Sequence, residues 1–200
     1  MTHIRIFCLR SLALVVLLLV AACAPYTLVP ASSSDVANFR VDVDMPWNKA
    51  NMLRVESSAP LAVWTADSPT LNSIMFIGGV RDGGAVLRIS NDTDKSPLIF
   101  RSAMTPTEIV ELWEATITKV NSATIAKGSN IQPVTFGGVQ GFRFDFHFVT
   151  KDEVDRTGLA YVAVKGDRLY MIFYSGTKLH HFQLRQANVQ RMIESARITG

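Results

Sequence analysis

Cysteine is scarce in this sequence, and the placement of the few cysteines excludes whole classes of site. The 200 residues contain two cysteines, Cys8 and Cys23. We expect Cys8 to be removed with an N-terminal leader, which would leave Cys23 as the sole thiol of the mature protein. A single thiol cannot form an internal disulfide or supply the several thiolates of a structural zinc site. The folded part must therefore depend on its hydrophobic core.

An excess of one sign of charge is also missing. There are 20 Lys and Arg residues against 17 Asp and Glu, giving a formal net charge of +3. Arg5 and Arg10, which contribute to this excess, belong to the expected leader. The other basic residues are scattered singly among acidic ones, whereas nucleic-acid binding needs a basic stripe or patch. The sequence therefore argues against a nucleic-acid partner.

Long hydrophobic runs are missing outside the N-terminus. There, the uncharged segment Ser11–Cys23 follows Arg5 and Arg10 and ends with the small residues Ala21 and Ala22. A basic start, a short apolar centre and a small-residue end are typical of a secretory signal peptide. The run is too short for a membrane-spanning helix, which needs about 20 apolar residues. We predict a signal peptide over residues 1–22.

The end of this segment, Val20-Ala21-Ala22-Cys23, resembles the lipobox of bacterial lipoproteins. In that family the Cys thiol takes a diacylglycerol, the Cys becomes the mature N-terminus, and its amino group receives a further acyl chain. The resemblance implies lipidation at Cys23 and a membrane partner, with attachment made stable by several chains. Ala24 follows the cysteine instead of Asp. By the sorting rule of enteric lipoproteins, this implies the periplasmic face of the outer membrane.

The next segment has a different composition. From Ala24 to Asp35 the chain is rich in Pro and Ser and shows no sustained periodicity. Such composition is typical of a flexible linker. We therefore predict a lipidated N-terminus and flexible spacer over residues 23–38, and a single domain over residues 39–200.

Short apolar or alternating runs predict several strands in the first half of the domain. They are Phe39–Val43, Met52–Val55, Leu61–Thr65, Leu71–Ile77 and Ala85–Ile89. The glycine-rich segment Gly78–Gly84 is followed by an apolar strand, whereas a phosphate-binding loop is followed by a helix. This segment is therefore expected to form a turn or a bulge.

Two helices are predicted. Thr105-Pro106-Thr107-Glu108 has the residues of a capping box with proline at the first helical position. The apolar residues that follow at helical spacing are Ile109, Leu112, Trp113, Ile117 and Val120. Lys127–Asn130 is expected to form the turn after this helix. The second helix is expected from about His181 to Ala196.

The second half of the chain carries the clearest strand pattern. Phe142–Phe148 alternates Phe with polar residues, which places four Phe side chains on one face of a strand. Gly166-Asp167 is a favoured two-residue hairpin loop between two apolar runs. The hairpin register would pair Lys165 with Arg168 and Tyr161 with Ile172.

These elements predict an α+β domain: an antiparallel sheet with a mid-chain helix and a C-terminal helix packed on it. Their order, over about residues 39–198, resembles the α-β-α sandwich of the PsbP and DcrB type. The resemblance is a pattern of elements, so it implies a fold and transfers no functional residues.

The best candidate site is the sheet face opposite the Phe row. The residues expected on it are Arg143, Asp145, His147, Tyr161, Tyr170 and Tyr174. One interpretation is a polar groove edged by aromatic rings, which could bind a sugar, a peptide or a protein partner. The other is a face covered by a helix, with Arg143 and Asp145 forming a structural pair. The sequence leaves both open and favours the second.

No metal, cofactor or catalytic motif was found. His180 and His181 are adjacent, so they do not face one another on a helix, and no spaced Cys/His cluster accompanies them. Asp152, Glu153 and Asp155 lack the ligand spacing of a calcium-binding EF-hand. The Gly-x-Ser-x-Gly nucleophile motif is missing. We therefore expect no cofactor and no metal.

Three functions follow as hypotheses. The first is a non-enzymatic envelope lipoprotein that binds an envelope protein or another envelope component. The second is a small-molecule-binding module that uses the face of Tyr161, Tyr170 and Tyr174. The third is a hydrolase, which would need a deep pocket lined by His147 and a second titratable group.

Overall fold

The computed structural model describes residues 25–90 and 98–200. The predicted signal peptide, residues 1–22, and Cys23 lie outside these described residues. The structure therefore bears on these described residues alone.

The architecture is built on one large antiparallel sheet. Its strands are β1 (Tyr26–Val29), β4 (Trp47–Ala50), β6 (Leu61–Thr65), β7 (Asn72–Arg81), β9 (Ile125–Phe136), β10 (Val139–Val149), β11 (Asp155–Lys165) and β12 (Arg168–Thr177). Across the sheet their order is β1-β4-β6-β7-β12-β11-β10-β9. Two small sheets flank it, formed by β13 (Arg197–Ile198), β3 (Phe39–Asp42) and β2 (Ser33–Val36), and by β5 (Val55–Glu56) with β8 (Arg88–Ile89).

The hairpin of β11 and β12 has the predicted register. Lys165 lies opposite Arg168, and Tyr161 lies opposite Ile172. Gly166 has a φ of +63°, a conformation that glycine adopts without steric cost. This hairpin occupies the middle of the large sheet, so its two faces carry the core of the protein.

The mid-chain helix α1 (Pro106–Asn121) covers the Phe face of the sheet. Its capping box is confirmed: the Thr105 hydroxyl accepts from the Glu108 backbone N–H, and the Glu108 carboxylate accepts from the Thr105 backbone N–H. Trp113 packs edge-on against Phe173 of β12, with ring centroids 5.0 Å apart. The helix ends at Ser122, whose φ of 49° lies in the left-handed region.

The C-terminal helix α2 (His181–Ser195) covers the opposite face. Phe182, Val189, Met192 and Ile193 are its buried residues. The sheet therefore lies between two helices, and the α+β prediction, with one helix packed on each face, is confirmed. Among the described residues, neither helix has the length and apolar content required to cross a membrane.

The prediction of a flexible spacer over residues 23–38 is wrong for its described part. Tyr26–Val29 pairs with Trp47–Ala50 as the edge strand β1, and Ser33–Val36 pairs with β3. The pattern was missed because β1 is only four residues long and lies between Pro25 and Pro30, so its residues show no sustained alternation. The domain therefore includes β1 and β2, which lie before the predicted boundary at Phe39.

One predicted turn is wrong, whereas the bulge expected in the glycine-rich segment is confirmed. Lys127–Asn130, expected to follow α1, lies within the 12-residue strand β9. It is polar because β9 is an exposed edge strand, and the register with β10 shifts between Arg143 and Asp145. Gly78 and Gly79 lie inside β7, where the expected bulge occurs opposite Leu169 and Tyr170.

Candidate functional site

The predicted polar residues of β10 form a half-exposed row, and each has a partner outside its own strand. The Arg143 guanidinium donates to Gln132 Oε1 at 2.9 and 2.6 Å. Asp145 accepts from Asn130 Nδ2 at 2.8 Å. The expectation of a structural pair between Arg143 and Asp145 is therefore wrong. The reason is that β9 lies alongside β10 and offers each side chain a closer amide partner.

His147 belongs to a different group at the end of the row. Its Nε2 lies 2.6 Å from Asp155 Oδ1, and Lys178 Nζ lies 3.0 Å from Asp155 Oδ2. Desolvation opposes the charged form of Asp155, but the hydrogen bonds from Lys178 and His147 outweigh it and hold its pKa below the usual range. The carboxylate is thus a paired anion that joins β10, β11 and the end of β12.

The three predicted tyrosines lie under α2 and its C-terminal extension. Tyr174 is fully buried, and its hydroxyl donates to the backbone oxygens of His181 and Phe182. Tyr161 exchanges hydrogen bonds with Gln190, and Tyr170 donates to the backbone oxygen of Gly200. Every hydroxyl has a partner within the fold, so no groove runs along the tyrosines. The interpretation of this face as an aromatic ligand-binding groove is wrong, and the helix-covered alternative describes it.

A cavity of about 510 Å³ lies on the other side of the sheet, beyond the C-terminal end of α1. Strands β7, β10, β11 and β12 form its floor, and the segment that contains Thr70 borders it. Cavities of this size are typical of small-molecule sites. We therefore take this cavity as the candidate functional site.

Arg156 is the buried charged residue of the cavity, and 5% of its surface is exposed. It lies opposite Phe148 in the pairing of β10 and β11, and its guanidinium carbon is 5.6 Å from the Phe148 ring centroid. Its Nη2 donates to the Ser175 hydroxyl at 3.3 Å, and its Nη1 donates to the backbone oxygen of Thr70. These hydrogen-bond partners are all neutral oxygens.

The electrostatic environment of Arg156 is unusual for a buried cation. Burial lowers the pKa of its guanidinium, because desolvation disfavours the charged form. No Asp or Glu within residues 25–90 and 98–200 forms an ion pair with it. The preceding residue, Asp155, points to the opposite face of the sheet and is engaged with His147 and Lys178. Arg156 is therefore a positive charge at the cavity floor that no Asp or Glu of the described ranges pairs with.

The rest of the lining divides into a charged rim and apolar walls. Arg54, Lys151 and Asp152 are exposed at the rim, so cations outnumber carboxylates there as well. The apolar walls include Met75, Ile117, Val120 and Phe173. The site thus combines a buried cation with hydrocarbon surface, which suits a molecule that has an anionic end and an apolar body.

The fold that carries this cavity has a counterpart among solved structures. The solution structure of the cyanobacterial PsbP protein CyanoP from Synechocystis matches at a TM-score of 0.56 and 12% sequence identity, over 88% of this chain and 94% of that chain. This chain has a PsbP-like fold. The resemblance to PsbP is therefore confirmed at the level of fold, and at 12% identity it transfers no site residues.

A second solved structure matches more loosely. LpqN of Mycobacterium tuberculosis, described as involved in cell envelope biogenesis, gives a TM-score of 0.35 at 10% identity over 88% of this chain and 93% of that chain. A TM-score this low supports no argument about the present protein. No family model and no curated protein matches the chain.

Within this PsbP-like fold, the sequence analysis missed Arg156. It directly follows the acidic stretch Asp152–Asp155, and such charged stretches are typical of exposed turns. The available signal was the alternation of β11: counting back in twos from the buried Val162 and Ala160 reaches Arg156 through Gly158. A charged residue on the buried face of a strand is uncommon and indicates a special role.

Metal binding has no cluster to support it in the described part of the chain. Within residues 25–90 and 98–200, no three His, Cys, Asp or Glu residues are grouped so that they could hold a metal ion. A second recess of about 440 Å³ lies between β1, β2 and β6, and His147 lines neither recess.

Proposed function

We propose that this protein is a lipoprotein, anchored through Cys23 to the periplasmic face of the outer membrane, that works as a non-enzymatic binding module. The motif Val20-Ala21-Ala22-Cys23 supports the anchor, and Ala24 supports the outer-membrane destination. The observation that carries the binding role is the cavity around Arg156, which combines apolar walls with a cation that forms no ion pair among the described residues.

A non-enzymatic role agrees with the state of the titratable groups. A general base needs a substrate within hydrogen-bond reach and a space for it. Neither of the two recesses described above is lined by His147. The hydrolase hypothesis therefore gains no support from the residue on which it depended.

Lipidation is tested by replacing the cysteines one at a time. We expect cells that express the full chain to incorporate labelled palmitate into it, and Cys23→Ser to abolish this labelling. Cys8→Ser is the matched control, because it also removes a thiol but lies in the expected leader. Equal labelling of the two variants, or labelling lost only with Cys8→Ser, would contradict the anchor.

The destination is tested by separating inner and outer membranes. We expect the wild-type chain in the outer-membrane fraction, and Ala24→Asp to move it to the inner membrane in a host that follows the enteric sorting rule. Wild-type protein found in the inner-membrane fraction of that host would contradict the outer-membrane location and leave the binding role open to its own test.

A further inference from the structure

The hydrogen-bond partners of Arg156 indicate the kind of ligand that the cavity could bind. A guanidinium has five N–H donors and favours paired, planar anionic acceptors such as carboxylate and phosphate. In the described structure its hydrogen bonds go to the Ser175 hydroxyl and the Thr70 backbone oxygen, which carry no charge. Burial of a charge is costly unless an opposite charge accompanies it. The Arg156 guanidinium could therefore pair with an anion in the cavity, because no Asp or Glu of the described residues pairs with it.

A purely structural role explains less of this arrangement. The hydrogen bond to Thr70 connects β11 with a segment 86 residues away, so Arg156 does help to hold the fold together. A neutral donor such as Gln could make that bond without the desolvation cost of a charge. The hydrogen bond to Thr70 therefore does not explain why a charged side chain lies at the cavity floor.

The walls specify the rest of the ligand. Met75, Ile117 and Phe173 present hydrocarbon surface next to the cation, and Arg54 and Lys151 add positive charge at the rim. A small inorganic anion would leave those walls exposed to water, and a neutral hydrocarbon would leave Arg156 without a counter-charge. An amphiphile satisfies both requirements.

We propose that this cavity binds an anionic amphiphile, with a carboxylate or phosphate head paired to Arg156 and an apolar chain against Met75, Ile117 and Phe173. This inference rests on the binding role proposed above and names its ligand class. It does not depend on lipidation of Cys23, because the cavity is formed entirely by the folded domain.

The test uses the full chain in nanodiscs of neutral phospholipid, titrated with defined probes against empty nanodiscs. Octanoate and octyl phosphate carry a charged head on the same chain, 1-octanol carries the chain alone, and acetate and inorganic phosphate carry the charge alone. We expect one or both charged octyl compounds to bind at least about tenfold more tightly than octanol, acetate or phosphate. The tighter of the two identifies the head group as carboxylate or phosphate.

Variants then locate the site. Arg156→Gln is expected to weaken binding of the charged octyl compound about tenfold or more, since a charged hydrogen-bond partner is lost. Arg143→Gln is the matched control, because it makes the same change on the opposite face of the neighbouring strand, and we expect less than a twofold effect. Affinities for octanoate and octyl phosphate that both equal that for octanol, no binding of any probe, or an unchanged affinity in Arg156→Gln would overturn the proposal.

A second pair of variants covers the case in which Arg156→Gln does not fold. Thr150 is half-buried in the cavity lining, and its hydroxyl accepts from the Val154 backbone N–H. Thr150→Asp adds a negative charge to the lining, whereas Thr150→Asn adds a side chain of the same shape without charge. We expect Thr150→Asp to bind the tighter of the two charged octyl compounds several-fold more weakly than Thr150→Asn does, with octanol binding unaffected. Equal affinities of these two variants for that charged compound would count against the proposal.

These outcomes are separable from the failure of the anchor. Cys23→Ser changes only the proposed lipidation, and we expect it to bind octanoate with the wild-type affinity in the same nanodiscs. If Cys23→Ser loses the palmitate label and still binds octanoate, both proposals are supported independently. If Cys23→Ser keeps the label, the anchor is contradicted and the ligand proposal is unaffected.

Discussion

Arg185 Nη2 on α2 lies 3.1 Å from Asp67 Oδ1, in the segment that follows β6. Both side chains are about three-quarters buried, at 27% and 26% exposure. The pair joins the helix that covers the tyrosine face to a segment 118 residues away in the sequence. It is therefore a long-range contact that holds α2 against the sheet.

This pair predicts a pH-dependent stability. Desolvation raises the pKa of Asp67, but the hydrogen bonds from Arg185 and Asn72 lower it further, so the pKa lies below its usual range. A lowered folded-state pKa contributes stability that is present above the unfolded pKa of about 4 and is lost as pH falls through the folded value. We expect Asp67→Asn to lower the free energy of unfolding by about 1 kcal/mol at neutral pH, with the difference shrinking below about pH 4.

Urea unfolding at a series of pH values measures this difference. Glu111→Gln, on the exposed side of α1, is the control and should stay close to the wild type throughout. A deficit in Asp67→Asn that is the same at acid and neutral pH would show that the charge pair is not its source.

The Tyr174 hydroxyl provides a second prediction. Burial raises the pKa of Tyr174, so the hydroxyl remains a donor to the backbone oxygens of His181 and Phe182. Tyr174→Phe keeps the ring, which stacks on Phe182 with centroids 5.2 Å apart, and removes the donor. We expect a loss of about 1 kcal/mol in thermal or chemical unfolding. The exposed Tyr26 offers the matched control, and a Tyr26→Phe loss as large as that of Tyr174→Phe would refute the assignment.

A third prediction concerns the helix cap at the start of α1. Thr105→Ala removes the hydroxyl that caps the Glu108 backbone N–H, and loss of such a cap costs about 1 kcal/mol of stability. Thr107→Ala makes the same chemical change two residues later, at an exposed position of the first turn. We expect Thr105→Ala to unfold at a lower urea concentration than Thr107→Ala, and equal midpoints would contradict the role of the capping box.

A fourth prediction concerns hydrogen exchange in the edge strand β1. Because Tyr26–Val29 pairs with Trp47–Ala50, the β1 amide groups that donate to β4 should exchange their hydrogens slowly. A flexible spacer would exchange at the rate of an unfolded peptide along its whole length. Hydrogen exchange measured by mass spectrometry, with the central strand β12 as the slow reference, distinguishes the two.

Local patterns explain which parts of the fold were predictable. The Phe142–Phe148 alternation, the Gly166-Asp167 turn and the Thr105–Glu108 capping box depend on neighbours a few residues apart, and all three are confirmed. The polar stretch Lys127–Asn130 looked like a turn because an edge strand lacks a second partner strand. Its assignment needed knowledge of where β9 lies in the sheet.

The candidate site could not be predicted for a related reason. Arg156 acquires its environment from Phe148, Ser175 and Thr70, which the chain brings together from three different segments. The face on which Tyr161, Tyr170 and Tyr174 lie was predicted, whereas the helix that closes it depends on how α2 returns across the sheet. Periodicity assigns a side chain to a face, but the cover of that face is a long-range property.

The position of β1, three residues after Cys23, would limit the distance between the domain and the membrane in a protein acylated at Cys23. From Cys23 to Tyr26 an extended chain spans about 10 Å, and Arg156 lies on the fifth strand beyond β1, which adds about 24 Å across the sheet. Because this connection is short, an acylated Cys23 would keep the opening of the cavity within a few nanometres of the bilayer. The ligand would then be a molecule that enters or leaves the nearby membrane leaflet. Molecules farther away in the periplasm would not reach the cavity.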